Sequence, residues 1–155
     1  MGSYVPSHLT KRLKAQLKDP ADPLLTAIGI GQAHTAASAW SAHTGPRPSL
    51  YLCSPLRRAL RTFSLTFAGT TAVARVREGV REHLTGHTCD VRLKVSELQS
   101  FLRGEGEDGV FNWDEFEGVE NDPYEKVREY DEDVRVRAKK ALDKIFSEES
   151  AHGEY

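Results

Sequence analysis

Leu50-Tyr51-Leu52-Cys53-Ser54-Pro55-Leu56-Arg57-Arg58-Ala59-Leu60-Arg61-Thr62 is the stretch whose reading decides the fold. Leu50 to Cys53 is a short apolar run that follows the turn residues Gly45-Pro46-Arg47-Pro48, and it reads as a buried strand. Pro55 has no amide hydrogen to lose and suits the first turn of a helix, which the pattern carries to about Phe67. A strand that runs straight into a helix places a helix amino terminus beyond the strand's carboxyl end. In open α/β sheets this is where ligands sit, because the free amides and the helix dipole favour an anion. An arginine on that first turn can clamp a phosphate with two parallel hydrogen bonds, so Arg57, Arg58 and Arg61 are the first residues to weigh.

Working outward, the same rhythm continues. Thr26 can cap a helix that runs to about His43 and is rich in small residues (Gly29, Gly31, Ala33, Ala36, Ala37, Ala39). Before it, Asp19-Pro20-Ala21-Asp22-Pro23 breaks the chain, and Leu9, Leu13 and Leu17 mark a short amphipathic helix over residues 8–18. After it, Ala72 to Val76 reads as another strand. Helix, turn, strand, helix, strand is the α/β pattern, and the expected architecture is a three-layer α/β/α sandwich on a mostly parallel sheet. Residues 103–122 read as a long surface excursion pinned by Phe111, Trp113 and Phe116. A charged helix is expected from Pro123 to about Phe146, with a fraying tail from Ser147 to Tyr155.

At 155 residues two separate cores would be hard to bury, so one domain over 1–155 is expected. Twenty-one basic residues against 23 acidic ones leave a net charge of −2, which argues against an extended nucleic-acid surface. No apolar run approaches the ~20 residues of a membrane span, and the first residues lack the basic-then-apolar order of a secretory signal, so a cytoplasmic location is expected. Cys53 and Cys89 are too few and too far apart for a disulfide framework and read as reduced thiols.

The segment Ser54-Pro55-Leu56-Arg57-Arg58-Ala59-Leu60-Arg61-Thr62 resembles the S-P-L-x-R-A-x-x-T phosphate-pocket segment of the histidine phosphatases, the phosphoglycerate mutase-like superfamily. Leu25-Thr26-Ala27-Ile28-Gly29-Ile30-Gly31-Gln32-Ala33 is similar to the L-T-x-x-G-x-x-Q-A helix start that precedes that pocket. Val80-Arg81-Glu82-His83-Leu84-Thr85-Gly86 resembles the family's L-x-E-x-x-x-G element, and His87-Thr88-Cys89-Asp90-Val91-Arg92 looks closest to its fungal branch. The resemblance covers about residues 24–145. It implies phosphomonoester hydrolysis or phosphate transfer through a phosphohistidine, with Arg58 binding phosphate, Glu82 donating the proton to the leaving group, and a small phosphorylated metabolite as the partner.

The departures from the pattern bear on catalysis. The family's nucleophile is the histidine of an R-H-G motif, and no such tripeptide occurs here. His8 and His152 are the weak candidates for that role: His8 has no strand before it, and Ala151-His152-Gly153 follows no apolar run. The resemblance therefore implies an incomplete sheet and a catalytically impaired, non-catalytic or truncated member that retains phosphate or partner binding, with its sheet edges open to pairing with a second copy. A cysteine phosphatase is excluded by spacing, since the arginine that would close a loop around Cys53 falls on Ala59. His83, His87, Cys89 and Asp90 invite a metal reading, but Gly86 between the histidines favours a loop, so neither metal nor cofactor is expected.

Overall fold

A computed structural model of the chain describes residues 21–123 and 128–152, without the side chains of 108 and 149–152. The expected helix over 8–18 and His8 lie outside the described residues. Among the described residues four α-helices and three strands follow in order: α1 (Ala27–Ala42), β1 (Tyr51–Cys53), α2 (Arg57–Thr66), β2 (Ala74–Val76), α3 (Val95–Gly104), β3 (Phe111–Asn112) and α4 (Asp131–His152). The strands form one parallel sheet in the order β1-β2-β3, in which Tyr51 sits beside Ala74 and Ala74 beside Phe111. The chain is α/β.

Side chains alternate across a strand, and the register sorts them into two faces. Cys53, Ala74, Val76 and Phe111 join Leu60 and Phe63 of α2 and Val95, Leu98 and Leu102 of α3 in the principal core. Tyr51 packs edge-on against Phe63 and Phe67, and Phe67 meets Trp40 of α1 in the same way, so a ladder of aromatic contacts ties α1 to the sheet. Leu52, Arg75 and Asn112 share the other face. There Arg75 and Arg77 hold Glu148 of α4 at 3.7 and 2.5 Å. Gly79 permits the close approach of that helix, since a Cβ at this position would lie 2.9 Å from the Ala141 side chain.

Thr26 caps α1 as expected, accepting a hydrogen bond from the Gly29 amide at 3.1 Å. Replacing it by alanine is expected to cost about 0.5–2 kcal/mol, which a lowered urea midpoint would report and an unchanged midpoint would contradict.

Three expectations need correction. The helix after β1 begins at Arg57, two residues beyond Pro55, because Leu56 is still extended and the first helical amide is taken by a distant carboxylate: Asp22 Oδ1 accepts from Arg57 N at 2.8 Å. The segment after residue 100 is more than an excursion. Its aromatics do pin it, with Phe111 and Phe116 in the core, but Phe111–Asn112 is also the third strand of the sheet. Finally, the last helix starts at Asp131, and residues 147–152 continue it where a fraying tail was expected. Asp131, Glu132 and Asp133 favour its amino terminus, Asp133 accepts from the Tyr130 amide at 2.9 Å, and Glu148 anchors its far end.

Candidate functional site

Three arginines on α2 compete for the role of anion ligand, and the structure separates them. Arg57 turns back to the chain before α1: its Nε donates to the Asp22 carbonyl at 2.8 Å and its Nη2 donates to the same oxygen. Arg61 turns towards the loop after α3, pairing with Glu105 at 3.0 Å and with Glu107. Arg58 alone of the three reaches Glu82, through Nη2, while its Nη1 donates to the Cys89 carbonyl at 2.9 Å. Residues 58 and 82 are 24 apart in the chain, and the parallel β1–β2 pairing brings them together. Arg58 is also on the rim of an open groove of about 540 Å³, lined by Leu25, Leu52, Cys53 and Ser54 among others.

The segment bearing Glu82 is extended after a short 3-10 turn over Glu78–Val80, so neighbouring side chains point opposite ways. Arg81 goes inward and is almost fully buried, while Glu82 is half-exposed beside Arg58. Gly86, at φ +83°, then reverses the chain in a backbone conformation that side-chain-bearing residues rarely adopt. The reversal lets Asp90 fold back on Thr85, accepting from its amide at 2.8 Å and from its hydroxyl. Cys89 Sγ contacts the other Asp90 oxygen at 3.4 Å, and Arg81 donates to the Asp90 carbonyl.

These contacts set the protonation of the site. Partial burial pushes the Glu82 carboxyl above the usual glutamate range, the hydrogen bond and negative charge of Asp90 add to the rise, and Arg58 opposes it. Burial acts on Asp90 in the same direction, but hydrogen bonds from Thr85, Glu82 and Cys89 overcome it and hold Asp90 below its ordinary value. Burial pushes the Cys53 thiol up to about 12, which favours its protonated form at neutral pH.

Two histidines make their contacts with groups other than this pair. His43 stacks on Trp40, and the His83 ring nitrogen Nε2 lies 2.8 Å from the Glu129 carbonyl. His152 sits in the final turn of α4 rather than behind a strand. Among the described residues no histidine bonds to Arg58 or Glu82, and no group of three or more His, Cys, Asp or Glu residues is gathered to hold a metal ion. No described helix is long and apolar enough to cross a membrane.

Two contributors escaped the sequence reading. Asp22, fully buried at φ 49°, accepts from Arg57 N and from Leu93 N, and so fastens the start of α2 to the start of α3. Its only sequence signal was a place between two prolines, which read as a helix breaker. Asp90 was weighed solely as a metal ligand, because nothing local shows that it would turn towards Thr85.

Comparison with known proteins follows the same lines. The family described as Histidine phosphatase superfamily (branch 1) matches residues 9–153. A probable phosphoglycerate mutase of Arthroderma benhamiae is 35% identical over 141 residues, covering 84% of this chain and 40% of that protein. A probable phosphoglycerate mutase of Saccharomyces cerevisiae is 33% identical over 104 residues, covering 55% of this chain and 35% of that protein. The chain thus spans well under half the length of these curated relatives. No solved structure matches.

Proposed function

The chain belongs to branch 1 of the histidine phosphatase superfamily, and from that premise we propose that it recognises a small phosphomonoester, with Arg58 as the phosphate ligand and Glu82 as the proton donor facing the leaving group. One observation carries the reading: of three arginines on the same helix, the one at the family's pocket position is the one that meets the family's acid. Arg58 already spans two acceptors, Glu82 and the Cys89 carbonyl, in the fork geometry that a phosphate would take over. The names of the two fungal relatives accord with phosphoester chemistry on a small metabolite.

Covalent turnover is a separate matter. A phosphohistidine route needs a histidine in line with phosphorus, no Arg-His-Gly occurs in the sequence, and the contacts of His43 and His83 are with Trp40 and the Glu129 carbonyl rather than with Arg58 or Glu82. The proposed state is therefore a phosphate-binding, catalytically impaired domain. Two free cysteines accord with a cytoplasmic setting. The β1 edge, whose sole sheet neighbour among the described residues is β2, is where a second copy would pair.

Inorganic phosphate titrated into the purified chain tests the binding role. Losing a charge-assisted ligand costs about 1.5–3 kcal/mol, so Arg58→Ala is expected to weaken binding roughly 10- to 100-fold, and equal binding by the two proteins would refute the assignment. Hydrolysis of an aryl phosphate is expected to stay at background. Turnover abolished by both Arg58→Ala and Glu82→Ala would replace the impaired reading with an active enzyme whose nucleophile is His8 or His152.

A further inference from the structure

The groove beside Arg58 follows one face of α2. Arg58, Thr62 and Thr66 line it at every fourth position with Phe63 beside them, which is the spacing of a single helical stripe. The stripe is about 12 Å long, and Arg58 stands at its amino-terminal end. Leu25, just before α1, and Leu52 of β1 line the groove from other elements. Both leucines are half-buried, and neither belongs to the principal core or packs against it. Among the described residues that line the groove, Arg58 is the sole charged one. The hydroxyls are few and partly committed. Thr62 donates to the Arg58 carbonyl at 2.8 Å and the Cys53 thiol donates to the Ser54 carbonyl at 3.4 Å, which leaves Ser54 and Thr66 as the hydroxyl donors for a ligand.

We propose that this groove receives the organic part of the phosphomonoester, and that this part is an apolar aryl or alkyl group rather than a sugar or a polyol. The proposal rests on the reading of Arg58 as phosphate ligand. One cation at the end of an apolar stripe is complementary to an anionic head that carries an apolar body. With the phosphate on Arg58, the body lies along α2 between Phe63 and the two leucines. An aryl or alkyl group there removes its own surface and theirs from water, which favours binding. A chain of hydroxyls would give up its water partners and find two side-chain donors in return, which opposes binding. The groove holds about 540 Å³, within the range of sites that take small organic molecules. Its size therefore admits a two-ring group, and its chemistry selects one.

NMR titration of the full chain with three phosphonates, which cannot be hydrolysed, tests this without any turnover. Naphthylmethylphosphonate is expected to bind roughly tenfold tighter than methylphosphonate or more, and 2,3-dihydroxypropylphosphonate no tighter than methylphosphonate. In Leu52→Ser the ratio of the naphthyl to the methyl affinity is expected to fall about threefold or more. Arg58→Ala is expected to weaken all three. Equal affinities for the three compounds, all of them lost in Arg58→Ala, would overturn the apolar-body proposal and leave the phosphate reading intact. Naphthyl binding that Leu52→Ser weakens and Arg58→Ala does not would remove the phosphate role instead, and with it the proposed orientation. Should Leu52→Ser unfold, the native order of affinities decides. Sedimentation of the native chain covers the remaining occupant: a dimer that shows no naphthyl preference and that Leu52→Ser dissociates would give the groove to a second copy and overturn the proposal.

Discussion

Asp122→Ala is expected to destabilise the chain by about 3–5 kcal/mol, most of the stability of a small domain. Asp122 closes a ring of four charges, three of them almost fully buried and the fourth, Glu78, partly so. Arg81 Nη1 donates to Asp122 at 2.8 Å and to Glu78 at 2.7 Å; Arg92 Nε donates to the other Glu78 oxygen at 2.9 Å, and its amide to the other Asp122 oxygen at 2.7 Å. The Arg81 and Arg92 side chains are 1% and 0% exposed and Asp122 is 3%, so water cannot replace a lost partner. Burial works against the charge on Arg81, and the hydrogen bonds and charges of Asp122 and Glu78 outweigh it, holding its pKa above the ordinary value. Removing Asp122 leaves burial in place and takes away one of the two carboxylates that supply that compensation. The double variant Asp122→Leu with Arg81→Met is expected to recover much of the loss, since a buried ion pair is worth little more than an apolar pair of like volume. Denaturant unfolding of both variants checks this. A loss under about 1 kcal/mol for Asp122→Ala would mean the ring is solvated and the argument fails.

That ring also shows where a sequence stops speaking. The strand at Tyr51–Cys53, the cap at Thr26 and the strand at Ala74–Val76 were legible because apolar runs and capping residues act within a few positions. Arg58 and Glu82 were legible because each sits in a short local pattern at a strand or turn. Glu78 and Arg81 are three apart and readable as a pair, but Arg92 and Asp122 are separated by 30 residues, and a charge destined for burial looks the same on paper as a charge in water. The strand Phe111–Asn112 was missed for a related reason. Two residues cannot display a period, and its pairing with Ala74 and Arg75 is a product of the tertiary fold. Asp22 and Asp90 belong to the same class, since each matters through hydrogen bonds that a chain reversal or a 35-residue separation creates.

Arg137→Met is expected to cost about 3–5 kcal/mol and to loosen the segment that carries Glu82. Arg137 projects from α4 and donates to three backbone carbonyls in succession, Gly79 at 3.0 Å, Arg81 at 2.9 Å and Glu82 at 3.0 Å. Its Nε and Nη2 hold both oxygens of Glu129, at 2.5 and 2.7 Å. Glu129 in turn accepts from the Leu84 amide at 3.0 Å and donates its own amide to the Leu84 carbonyl at 2.8 Å. Methionine keeps an apolar stem like that of arginine but, lacking the guanidinium, leaves Glu129 as a buried carboxylate without its cation and three carbonyls without this donor. The pH dependence follows from Glu129. The bond from Arg137 is the main cause that holds its carboxyl below the ordinary value of 4.5 in the folded chain. A depressed folded pKa contributes stability in full above that ordinary value, and the contribution is lost as pH falls through the depressed one. Native stability is therefore expected to decline below about pH 5, and Arg137→Met to be less stable at neutral pH while declining less steeply in that acid window. Urea unfolding at neutral pH and through the acid range measures both. Equal acid slopes in the two proteins would show that Glu129 is not governed by Arg137, and an undiminished neutral stability would show that α4 is held to the Glu82 segment by something other than this side chain.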